Sequence, residues 1–112
     1  MFLTWKKKKN IFNENKGNSG IYMLTNKLIE DTYIGQSIDI SKRFKIYLNP
    51  SYLKRSSCYK ISRALIKYGY SNFSLTILEY CDKSNLLIKE KDYFEKLNPQ
   101  YNIIKLAGSS LN

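Results

Sequence analysis

The first sign of chemistry in this sequence is a carboxylate where an apolar side chain belongs. At ~100° per residue, the stretch 84–97 reads as a helix with Leu86, Tyr93 and Leu97 on one stripe. Glu90 falls in the middle of that stripe, whereas Glu95 lies on the opposite side. An unpaired buried carboxylate costs on the order of a few kcal/mol, so Glu90 needs a cation, a hydrogen-bond donor or a cleft. Two readings are open: a salt bridge to a lysine or arginine at the core edge, or a metal ligand or acid–base group. The chain has no histidine, and its two cysteines, Cys58 and Cys81, lack zinc-ligand spacing. A metal held here would therefore be a hard, oxygen-liganded ion, Mg2+ or Mn2+. The missing imidazole also excludes Ser-His-Asp triads, His-ligated zinc and histidine general bases.

A second constellation is a pair of mirrored tripeptides, Gly20-Ile21-Tyr22 and Tyr33-Ile34-Gly35, separated by ten residues. Paired in a hairpin, they could project both tyrosine hydroxyls to a shared face, with the glycines letting a phosphate approach the backbone. Equally, both tyrosines could be packing residues. Arg43 follows on the first turns of a helix, where its guanidinium could fork onto a phosphate or simply be solvated.

The elements that must position these residues can be read from periodicity. Residues 20–25 and 31–35 are short β-prone runs around Asn26-Lys27, an antiparallel hairpin. Ile40, Phe44 and Leu48 set a helix over 39–48, ended by Asn49-Pro50. Ile61, Ala64, Leu65 and Tyr68 set a second over 57–68, closed by Gly69. Residues 73–80 form a third strand, 84–97 a third helix stopped by Asn98-Pro99, and 101–104 a final extended piece. The order β-β-α-α-β-α-β predicts an α+β fold, a small antiparallel-rich sheet flanked by helices.

At 112 residues the chain fits one domain, and no apolar run approaches the ~18 residues of a membrane helix. We divide it into a flexible basic leader (1–19), a folded domain (20–106) and a loose tail (107–112). The formal net charge of +10 is the footprint of a polyanion partner. From residue 40 to 78 there are basic residues and no acid: Lys42, Arg43, Lys45, Lys54, Arg55, Lys60, Arg63 and Lys67. A soluble surface with excess lysine is the plainer account of the same charge. Lys, Asn, Ile, Tyr and Phe make up about half the chain. Their codons are A/T-rich, pointing to an A/T-rich organelle, phage or bacterial genome.

Taken together, the ordered motifs resemble the GIY-YIG nuclease family over roughly residues 20–110. They are Gly20-Ile21-Tyr22, Tyr33-Ile34-Gly35, Arg43 in Ser-Lys-Arg-Phe, Glu90 in Lys-Glu-Lys-Asp-Tyr-Phe, and Asn102 in Tyr-Asn-Ile. The stretches 62–80 and 99–111 are similar to intron-encoded homing endonucleases of fungal mitochondria. The resemblance implies metal-dependent hydrolysis of a DNA phosphodiester bond, with Mg2+ or Mn2+ as cofactor, no small-molecule cofactor, no membrane partner and a mitochondrial location. It implies that Glu90 holds the metal, Arg43 neutralises charge on the phosphate, Tyr22 and Tyr33 position and help deprotonate the attacking water, and Asn102 orients phosphate or water. Lys42, Lys45, Lys54, Arg55, Lys60, Arg63 and Lys67 would contact the DNA backbone.

Two departures stand out. Many family members carry a histidine four residues after the arginine or shortly before the second helix, where this chain has Tyr47 and Ser56. Tyr47, one turn beyond Arg43, could replace the histidine as hydrogen-bonding partner or be a packing residue. Homing endonucleases of the family usually continue into DNA-recognition modules, whereas this sequence stops at Asn112. Weak, poorly sequence-specific, salt-sensitive binding is therefore expected. The competing functions are a repair or restriction nuclease with the same site and an inactive nucleic-acid-binding remnant.

Overall fold

The computed structural model describes residues 2–3 and 17–102. In chain order the elements are β1 (Phe2–Leu3), β2 (Gly20–Asn26), β3 (Thr32–Ser37), α1 (Ile40–Tyr47), α2 (Pro50–Arg55), α3 (Lys60–Tyr68), β4 (Phe73–Tyr80) and α4 (Leu86–Leu97). The strands form one antiparallel sheet in the order β1-β4-β2-β3. This is the predicted α+β architecture of a small antiparallel sheet with flanking helices. Of the predicted leader, only 2–3 and 17–19 are described. β1 pairs there with Leu75 and Thr76, a contact that the sequence does not announce. The predicted tail, 107–112, lies outside the described residues.

The β2–β3 hairpin turns on Asn26. Its carboxamide oxygen accepts from the Leu28 N–H at 2.9 Å, while its backbone carbonyl accepts from Glu30, which takes the left-handed conformation at φ 66°. The register pairs Tyr22 with Gly35 and Leu24 with Tyr33, so these four share a face. That face packs under α1, α2 and α3 around Phe44, Leu53, Leu65 and Leu75. The opposite face carries Ile21 and Ile34, which pack on Leu86 of α4. Gly35 is required by this arrangement, because a Cβ there would fall 2.6 Å from Cζ of Tyr22 and onto its hydroxyl. The tyrosine ring lies across the glycine of the facing strand.

Two differences from the sequence reading have clear causes. Asn49-Pro50 does end α1, but it also starts α2: the Asn49 side chain caps the N–H groups of Ser51 and Tyr52, and Pro50 sits in the first turn. The short helix between the two predicted ones went unread because its apolar positions are too few to show a period. At the C-terminal end, Tyr101 and Asn102 lie in a turn after the left-handed Asn98, not in a strand, and 103–104 lie outside the described residues. They close the outer edge of β3 by other means. The Tyr101 N–H donates to the Thr32 carbonyl at 2.9 Å, and the Thr32 N–H donates to Oε1 of Gln100 at 2.9 Å. The Asn102 amide spans both backbone groups of Ile34, accepting its N–H at 2.9 Å and donating to its carbonyl at 2.8 Å. An edge strand is thereby satisfied without a neighbouring strand.

Candidate active site

Because β3 is an edge strand, side chains from both faces of the sheet can meet beside it. They do so in a pocket of about 250 Å³ whose lining includes Tyr22, Tyr33, Arg43, Tyr47, Glu90 and Asn102. All six predicted catalytic residues are therefore brought together, from β2, β3, α1, α4 and the closing turn.

The upper wall is aromatic. Tyr22 meets Phe44 edge-on at 5.4 Å between centroids and Tyr47 at 6.1 Å, and Tyr33 lies 6.5 Å from Tyr47. The hydroxyls of Tyr22 and Tyr47 are 2.6 Å apart in a buried hydrogen bond. Burial pushes the Tyr22 phenol well above its ordinary range, and the nearby Tyr33 adds to this; the Tyr47 hydroxyl and Arg43 oppose it. Tyr47 is likewise pushed well up by burial and then by Tyr22 and Tyr33, while Tyr33 is raised by burial against the pull of Tyr47. Either hydroxyl can donate in this bond. All three stand as neutral hydroxyls at neutral pH.

Arg43 is half-buried on α1 and, among the described residues, is the only basic side chain in the lining. Burial works against its charge, but the surrounding Tyr22, Tyr47, Tyr52 and Tyr33 outweigh it and hold the guanidinium above its ordinary range. It is a permanent positive charge in an aromatic wall.

Glu90 comes from the other side of the sheet. It is only 8% exposed, and its carboxyl is raised by burial, partly offset by a hydrogen bond from Gln36. That bond runs from Nε2 of Gln36 to Oε1 at 3.1 Å. The ion pair seen among the described residues is Lys89–Glu79 at 3.3 Å, so the salt-bridge reading of Glu90 is set aside. A desolvated carboxylate facing a pocket with room for water suits a hard cation that binds through one carboxylate and keeps most of its hydration. No cluster of three or more His, Cys, Asp or Glu occurs among the described residues. Among the described residues that line the pocket, Glu90 is the one carboxylate that could hold such an ion.

The chain from Asn18 to Asn102 matches the model of the GIY-YIG catalytic domain. The chain belongs to the GIY-YIG family. Among curated proteins it is 31% identical over 114 residues to a Neurospora crassa protein described as a probable intron-encoded endonuclease, bI1; the match takes in 96% of this chain but spans only 24% of that relative. Among solved structures it is similar to the catalytic domain of the homing endonuclease I-TevI, with 30% identity, TM-score 0.64 and coverage of 78% of this chain and 99% of that one. A mutant of the same domain superposes with TM-score 0.65 at 28% identity, covering 80% and 96%. The GIY-YIG fold and its endonuclease family are thus established for this domain.

In this GIY-YIG domain the seven predicted DNA contacts stand apart from the pocket. Lys42, Lys45, Lys54, Arg55, Lys60, Arg63 and Lys67 are exposed on α1, α2 and α3 and do not line it. Arg63 donates to the carbonyls of Ser57 and Cys58 at 2.8 and 3.1 Å, which ties it to the turn before α3. Ser56 is buried in that turn, bonded to Ser62 Oγ at 2.8 Å and to the Tyr52 carbonyl, and is absent from the lining. Sequence reading missed Gln36, Tyr52, Tyr59, Ser62 and Phe94 in the lining. Gln36 had a signal: strand alternation puts it on the Ile34 face, a polar residue on the side where α4 packs.

Proposed function

We propose that this domain is a divalent-metal-dependent DNA endonuclease of the homing type that hydrolyses phosphodiester bonds. The observation that carries the reading is the convergence of Tyr22, Tyr33, Arg43, Tyr47, Glu90 and Asn102 on one pocket at the β3 edge. When bound at Glu90, Mg2+ supplies Lewis-acid charge that offsets the negative charge building on a scissile phosphate. Arg43 receives a non-bridging phosphate oxygen and holds the backbone against the aromatic wall. The neutral hydroxyls of Tyr22 and Tyr33 orient the attacking water; neither is a resting tyrosinate, since burial raises both phenols. Tyr47 holds the Tyr22 hydroxyl through their shared hydrogen bond, taking the place of an imidazole that this chain lacks. Asn102 acts through the β3 backbone, whose Ile34 it clamps. The exposed cations of α1–α3 bind DNA phosphates without reading sequence.

The homing type rests on the intron-encoded and homing endonucleases named above. Together with the A/T-coded composition, it points to a mitochondrial gene, and finding the coding sequence outside an organelle intron would overturn that origin. The function itself is tested with supercoiled plasmid at low salt, incubated with Mg2+ or EDTA. Nicked or linear product requiring both Mg2+ and Glu90 is expected, with Glu90→Ala inert. DNA that is bound but left intact with either Mg2+ or Mn2+ would refute the enzyme reading in favour of an inactive binding module.

A further inference from the structure

Gln36 is the residue whose placement the motifs do not account for. It directly follows Gly35, yet strand alternation turns it to the opposite face from Tyr33, opposite Ile21 in the register and toward α4. From there its amide reaches Glu90 at the pocket wall. Among the described residues this is the one hydrogen bond that the Glu90 carboxylate receives, and it falls on Oε1, leaving Oε2 without one. The type of donor is informative. A lysine or arginine at the same place would neutralise the carboxylate and compete with a bound cation. A neutral amide fixes the carboxylate plane and keeps the negative charge intact, which is what groups behind metal ligands do. The mount is stiff, because Gln36 sits two residues beyond Ile34, whose backbone Asn102 clamps on both sides.

We infer that Gln36 is a positioning residue: its side-chain amide orients the Glu90 carboxylate so that the free oxygen faces an incoming divalent cation. The inference rests on the reading that Glu90 is the metal ligand, and the test separates the two. Mn2+ binding to the metal-free protein is followed by EPR without DNA, for wild type, Gln36→Met (same length, no donor), Gln36→Ala and Glu90→Ala. Thermal melting in EDTA confirms that each variant folds. Mn2+ affinity is expected to fall about 10–100-fold in Gln36→Met and Gln36→Ala. The Mg2+ concentration for half-maximal plasmid nicking should rise in step, with most of the rate recovered at saturating metal. A role in packing alone would lower the melting point and the rate at every metal concentration instead. Wild-type Mn2+ affinity in either folded Gln36 variant, alongside loss of binding in Glu90→Ala, overturns the positioning role and leaves the metal site standing. Undiminished binding in Glu90→Ala overturns both.

Discussion

Replacing Glu90 by Gln should make the metal-free domain more stable while abolishing cleavage. The carboxylate is 8% exposed and takes one neutral hydrogen bond, from Gln36. A buried polar group short of partners costs about 1–3 kcal/mol, and because Glu90 borders a water-accessible pocket the lower end applies, about 1 kcal/mol. In a domain of this size that corresponds to about 4–8 °C in melting midpoint. The pH sign follows from the raised carboxyl of Glu90. Below the ordinary glutamate range both folded and unfolded chains carry the proton, so the charge contributes no penalty. As pH rises the unfolded chain releases its proton first, the folded chain binds more protons, and stability falls until the folded carboxyl has ionised. The gain in Glu90→Gln should therefore be absent near about pH 3.5, grow as the pH passes the ordinary glutamate range, and level off once the folded carboxyl has ionised. Melting curves by circular dichroism in EDTA across that range provide the assay. Adding Mg2+ should then raise the midpoint of the wild type and leave Glu90→Gln unmoved. A Glu90→Gln midpoint at or below wild type at pH 7 in EDTA would refute the desolvation argument.

Three further outcomes follow from the same geometry. With no histidine in the chain and Tyr22, Tyr33 and Tyr47 all raised, kcat/KM should fall as pH drops through the raised carboxyl range of Glu90. A pH–rate profile checks this, and a rate that stayed level down through that range would contradict it. Tyr47→Phe should strand the Tyr22 hydroxyl without its 2.6 Å partner, costing about 1–3 kcal/mol in urea unfolding and lowering kcat. Replacing Lys54, Lys60 and Lys67 together by Gln should flatten the salt dependence of DNA binding, by about 0.9 in log–log slope for each phosphate no longer neutralised. Fluorescence anisotropy on duplexes of unrelated sequence would read this, and weakened affinity for one sequence alone would contradict a backbone-only role.

What the sequence disclosed, and what it withheld, follows the range of the forces involved. The Tyr22–Tyr33 hairpin and the Glu90 anomaly were legible because each rests on a local period, alternation in one case and the ~100° helical step in the other. The capping of α2 by Asn49 was written in the sequence but looked like a terminator, since Asn-Pro serves at both ends of helices. Asn102 could be placed by motif but not by action: its bonds run to Ile34, sixty-eight residues away, and no local pattern encodes that partner. For Gln36, alternation gave the face but not the meaning, which depends on which face of β3 receives α4. The exposed cations of α1–α3 were visible as a run without acids, but their separation from the pocket was not. Only the sheet order, with β3 at the edge, shows why one basic residue lines the pocket while seven stand outside.

The overlap of the Tyr22 ring with Gly35 bears on how such a site is lost over generations. Every substitution at position 35 adds the same Cβ at the same place, against Tyr22. The coupling runs one way: position 35 cannot take a side chain while Tyr22 stays, whereas position 22 could shrink without touching Gly35. A gene released from selection would forfeit its catalytic wall through a glycine that performs no chemistry as readily as through the tyrosine that does.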